Sequence, residues 1–163
     1  MMRYQFKGIA GKWNVYDEAG RRIGSVRSRG RNLEYRYGNN IQAYDIGRKK
    51  DDVWLEQDGK TFLSGGFCYP VDENGKRVQE FFLRPPMPVE LKLEGEDEAW
   101  TLHQLPDRSI EIYHDGNRAG LLTGLVAGTK TLEWDGGAGP LEKGLLCFGL
   151  GVYMAEDDTV YIV

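Results

Sequence analysis

Leu145 to Ala155 is an uninterrupted apolar run of eleven residues, Leu-Leu-Cys-Phe-Gly-Leu-Gly-Val-Tyr-Met-Ala, in a chain that otherwise reads as short hairpins. It has no polar face at the period of either helix or strand, so it must be enclosed on all sides once folded. It is too short to cross a bilayer as a helix, which takes about 20 apolar residues. Three glycines (Gly144, Gly149 and Gly151) oppose a helix over Leu141–Ala155, each by about 1 kcal/mol relative to alanine. Uniform apolarity, length, and the Leu, Met and Ala content favour one. Inside a closed barrel, glycines would also let strands approach a helix closely. A helix is the first reading, with two core strands as the alternative.

The rest of the chain supplies the wall. Alternating apolar and polar residues flank Asp-Gly, Asn-Gly or Asp-x-x-Gly turns at Trp13–Gly24, Val53–Leu63, Tyr69–Val78 and Ile110–Gly120. Such turns provide the positive φ angles of tight hairpins, and the alternation gives each strand an inner and an outer face. Laying residue 13 on residue 110 matches Val15-Tyr16 with Ile112-Tyr113, and Leu33-Glu-Tyr35 with Leu132-Glu-Trp134. This suggests a single domain, 1–163, built from two related halves at about 1–88 and 89–163.

Between the halves, Arg84-Pro-Pro-Met-Pro88 cannot lie within a sheet, because its prolines remove ladder donors. Glu90–Trp100 reads as a strand, an acidic turn and a second strand. Asp135-Gly-Gly-Ala-Gly-Pro140 reads as a flexible break before the apolar run, with Pro140 and Glu142 suited to a helix start. Thr159–Val163 reads as a terminal strand.

The layout resembles the tubby C-terminal-like superfamily, especially its LURP-one-related members. The resemblance rests on Trp13–Gly24, Ile110–Gly120 and Leu145–Ala155, and extends over almost the whole chain. It implies an antiparallel closed β-barrel of about twelve strands around a buried apolar C-terminal helix, with partners drawn from membranes or proteins. No lipid-binding residues can be matched one by one, and the acidic calcium-binding segment of the related scramblases is not recognisable. A second resemblance, of Tyr16–Tyr37 to one YD repeat of Rhs-type shell proteins, involves a single copy where such shells need many. Without the helix, the sequence fits a β-sandwich or an open barrel.

Recognisable catalytic patterns are missing. Of the two histidines, His103 lies in an alternating strand segment and His114 precedes a hairpin turn; neither has a metal-ligand spacing. Cys68 and Cys147 form no disulfide framework. No nucleophile elbow, phosphate loop or dinucleotide fingerprint occurs. The carboxylates at Glu94–Glu98, Asp72-Glu73 and Glu156–Asp158 read as solvated turns. No cofactor, metal or enzymatic activity is expected.

Charge is the remaining signal. The formal net charge is −4, yet residues 1–50 hold 12 Lys/Arg against 4 Asp/Glu. Arg27, Arg29 and Arg31, at two-residue spacing on a strand, are expected to share one face that could grip anions, with Tyr35 and Tyr37 near enough to stack on bases. The plainer account is a solubilising surface, with the basic and acidic parts of the chain complementing one another. An acidic pI of about 5.3 disfavours nucleic acid. The amino-terminal residues lack a signal-peptide core, and a cytoplasmic location follows as the default. The expectation is a non-enzymatic binding module for anionic phospholipid headgroups or another protein. A small-ligand-binding barrel and a structural interaction protein are the alternatives.

Overall fold

The computed structural model describes residues 1–77, 88–126 and 128–157. Among these residues twelve strands follow one another: β1 Met2–Ile9, β2 Lys12–Tyr16, β3 Arg22–Arg29, β4 Asn32–Tyr37, β5 Asn40–Lys49 and β6 Asp52–Gln57. The series continues with β7 Lys60–Cys68, β8 Glu90–Glu94, β9 Ala99–Gln104, β10 Ile110–His114, β11 Asn117–Thr123 and β12 Lys130–Trp134. Each pairs antiparallel with its sequence neighbours, and β1 pairs with β12 from Met2↔Trp134 to Phe6↔Lys130, closing the sheet into a barrel. Closure removes the free edges along which another chain could add a strand.

Turn chemistry sets the hairpins. Asp58-Gly59 and Asp115-Gly116 both hold positive φ, linking β6 to β7 and β10 to β11 through the expected tight turns. Between β2 and β3, the Asp17 side chain accepts hydrogen bonds from the Ala19 and Arg21 amides. Its carboxyl is held below the usual range chiefly by the Arg21 amide.

The apolar run forms α1, Leu141–Asp157. It occupies the barrel interior, since its side chains meet strands all the way round. Phe148 touches Phe6 of β1 and Trp13 of β2, while Tyr153 stacks on Phe67 of β7. The glycines are where the wall comes closest: a Cβ at Gly149 would lie 2.8 Å from Leu33 of β4, and one at Gly151 2.7 Å from Leu122 of β11. At Gly144 the nearest atoms, on Leu132 and Trp134 of β12, would be 3.0 Å away. Glycine in α1 therefore gives up helix propensity for room.

Ser28 of β3, buried against the helix, donates to the Gly149 carbonyl at 3.1 Å. That carbonyl also belongs to the helix ladder, so removing the hydroxyl leaves no orphaned acceptor. Ser28→Ala is expected to cost about 1 kcal/mol, within the ordinary net range of a hydrogen bond, measured by urea unfolding.

Residues 135–140, expected to be a flexible break, instead contain a single 3-10 turn, Gly136–Ala138. Asp135 caps it by accepting from the Gly137 amide, and Trp134 Nε1 donates to the Gly139 carbonyl at 3.1 Å. The linker is tied to the barrel mouth before it enters as α1. The Thr159–Val163 strand and most of the Arg84–Pro88 connection fall outside the described residues.

Candidate functional site

Arg27 and Arg29 project outward from β3, because Val26 and Ser28 take the inward positions of the alternation. Arg31 does not share their strand. Gly30, at φ 59°, and Arg31 make the turn into β4, which begins at Asn32, so the expected three-arginine strand face is corrected to two strand residues and one rim residue. The glycine favours the left-handed conformation that ends the strand just before the third arginine. Tyr35 is also corrected. It is 5% exposed and packs inward against Tyr44, unavailable to stack on any base.

Strand pairing adds a residue that spacing alone cannot supply. Lys12 of β2 stands directly opposite Arg27, and Arg27 in turn opposite Glu34 of β4. Glu34 is drawn along its own strand to Arg36, whose Nε lies 2.9 Å from Oε1. Among the described residues, no carboxylate forms an ion pair with Lys12, Arg27 or Arg29. These three border an open groove of about 840 Å³ on the outer wall, floored in part by the short side chains of Asn32 and Ala43. The opposite bank is acidic, with Asp45 of β5, Glu56 of β6 and Asp58 in the following turn. Asp45 stands directly opposite Glu56, and Glu56 accepts a 2.9 Å hydrogen bond from Trp54 Nε1.

Comparison with protein-family models, with curated proteins and with solved structures finds no match. The site must be read from its own chemistry.

Both histidines are engaged with neighbouring groups of the wall and its mouth. His103 of β9 lies opposite Glu90 of β8, with Nδ1 3.7 Å from its carboxylate. His114 stacks on Trp100 with ring centroids 4.2 Å apart and places Nδ1 3.0 Å from the Ala138 carbonyl of the helix linker. At the same mouth, Lys143 of α1 reaches Glu98 at 2.9 Å and lies over the Phe62 ring. Burial pushes the Tyr44 hydroxyl and the Cys147 thiol well above their ordinary values, so both stay protonated and unreactive near neutral pH. Cys68 and Cys147 are both free. No group of three or more potential metal ligands occurs among the described residues. Nor is any helix among them long and apolar enough to cross a membrane.

Lys12, Asp45, Glu56 and Asp58 were not accessible to sequence reasoning as site residues. They come from β2, from the β5–β6 hairpin and from the turn after β6, and they meet Arg27 and Arg29 only through strand register. The one usable signal, alternation, assigns each an outward direction but not a neighbour.

Proposed function

We propose that this chain is a non-enzymatic binding module, tubby-like in plan, that recognises a phosphate-bearing anionic surface through Lys12, Arg27, Arg29 and Arg31. The observation that carries this reading is the gathering of unpaired cations on one outer wall. Lys12 and Arg27 are placed opposite one another, a like-charge pairing that works against sheet stability and is relieved by a bound anion. α1 fills the barrel interior, which directs binding to the outer wall and rims and away from a ligand-holding lumen. A cytoplasmic setting fits two free cysteines in a chain of this size. The histidines each serve local packing or pairing on separate elements, which favours recognition over acid–base chemistry.

Co-sedimentation with phosphatidylcholine vesicles, with and without phosphoinositide and across a salt series, tests the reading. Wild type is expected to bind the phosphoinositide vesicles at least tenfold more tightly than phosphatidylcholine alone, and to release them as salt rises. An Arg27→Ala/Arg29→Ala/Arg31→Ala variant should lose about 1 kcal/mol per residue near the surface, roughly a hundredfold fall in affinity in all. All three side chains are exposed, so the variant should retain its fold. Absence of binding by folded wild-type protein overturns the reading. A protein partner engaged through the same residues would then be the object of search.

A further inference from the structure

The groove beside Arg27 is lined by charge of both signs, and each bank is built in the same unfavourable way. On one side Lys12 stands opposite Arg27; on the other Asp45 stands opposite Glu56. Like charges placed directly opposite on neighbouring strands oppose pairing of those strands. The banks do not neutralise each other, for no ion pair joins them among the described residues. Arg29, Asn32, Asp45 and Glu56 follow one another across β3, β4, β5 and β6 in a single register row. Arg29 and Asp45 are thus two interstrand spacings apart, about 9–10 Å at the backbone.

A purely anionic ligand satisfies only the basic bank and is repelled by Asp45 and Glu56. A purely cationic one has the reverse difficulty. We propose that the groove binds a phosphate–ammonium zwitterion of the phosphoethanolamine type, with phosphate on Lys12, Arg27 and Arg29 and the ammonium on Asp45 and Glu56. Its phosphate-to-nitrogen chain is about as long as one interstrand spacing. It can therefore lie over Asn32 with one end toward each bank.

Trp54 adds a separate observation in favour of the cationic end. Its ring lies flat against Gly47, where an added Cβ would come within 2.0 Å of the indole, and its Nε1 holds Glu56 at 2.9 Å. The indole thus fixes the Glu56 carboxylate on the outer wall beside Asp45, where the pair of carboxylates can meet an ammonium group. This inference rests on the anion-binding reading above, since it keeps the same basic bank and assigns the ligand's other end.

The test uses the full ¹⁵N-labelled chain, titrated at low ionic strength with O-phosphoethanolamine, inorganic phosphate or ethanolamine. Phosphoethanolamine is expected to bind at least tenfold more tightly than either of the others. Shifts should centre on the Asn32 and Ala43 amides and the Trp54 indole. Asp45→Asn/Glu56→Gln should reduce phosphoethanolamine to the level of phosphate, while phosphate binds as before or more tightly. If the double variant binds both compounds more tightly, the acidic bank only repels, and the zwitterion proposal falls while the anion reading stands. If neither phosphate nor phosphoethanolamine binds, both fall. Vesicles rich in phosphatidylethanolamine separate the two sources of this chemistry. Sedimentation competed by free phosphoethanolamine assigns a lipid headgroup, and binding of the free compound alone assigns a soluble phosphoester.

Discussion

Truncating Phe148 to alanine is expected to remove about 3–5 kcal/mol of stability, the range for an aromatic ring deleted from a filled core. That is a large part of a total that for most domains is about 5–15 kcal/mol. The size follows from position. Phe148 is fully buried in α1, stacked on Phe6 with centroids 3.7 Å apart and meeting the edge of Trp13 at 5.3 Å. Phe6 belongs to the strand that closes the barrel against β12, so the lost ring loosens the helix and the closing seam together. Equilibrium urea unfolding measures it. Ile41→Ala, at a side chain 53% exposed on the outer wall, serves as the comparison and should shift stability by less than about 0.5 kcal/mol. A Phe148→Ala loss below about 1 kcal/mol would mean that the helix is not seated in the barrel.

The buried helix was legible because the eleven-residue run offered no polar face, which leaves enclosure as its only stable environment. The hairpins were legible because Asp58-Gly59 and Asp115-Gly116 specify turns by themselves. What spacing could not supply was which residues stand opposite one another. Lys12 and Arg27 meet across the Asp17–Arg21 loop, and the register of β2 on β3 shifts between Val15 and Tyr16. The same shift occurs at Leu55/Glu56 of β6 and Ile112/Tyr113 of β10, at an interval of four strands. A one-residue irregularity changes which side chains are neighbours, and nothing in the local composition marks it. Arg31 illustrates the same limit. Arg27, Arg29 and Arg31 look equivalent at two-residue spacing until Gly30 takes a positive φ and moves the third onto the rim. Tyr35 was readable in principle, because alternation from Leu33 already points it inward.

The three helix glycines give the second large effect. Gly149→Leu must place a side chain where even a Cβ would be 2.8 Å from Leu33, and where Ser28 already approaches the Gly149 carbonyl at 3.1 Å. In free solution the change would favour the helix by nearly 1 kcal/mol. Here packing outweighs propensity, since the wall on that side consists of neighbouring strands β3 and β4 held in a closed sheet that cannot open at an edge. Overpacking of this kind commonly costs about 1–3 kcal/mol and occasionally more; with a whole leucine forced against the wall, a net loss of about 3 kcal/mol is expected. The cause can be isolated by a double-mutant cycle. Leu33→Ala alone should cost about 2–5 kcal/mol through the cavity it leaves. Combined with Gly149→Leu it should cost at least about 1 kcal/mol less than the sum, because the new side chain occupies the vacated space. Losses that add within about 0.5 kcal/mol would show that residue 149 does not face β4. The helix would then present another face to β3 and β4, with the strand order unchanged.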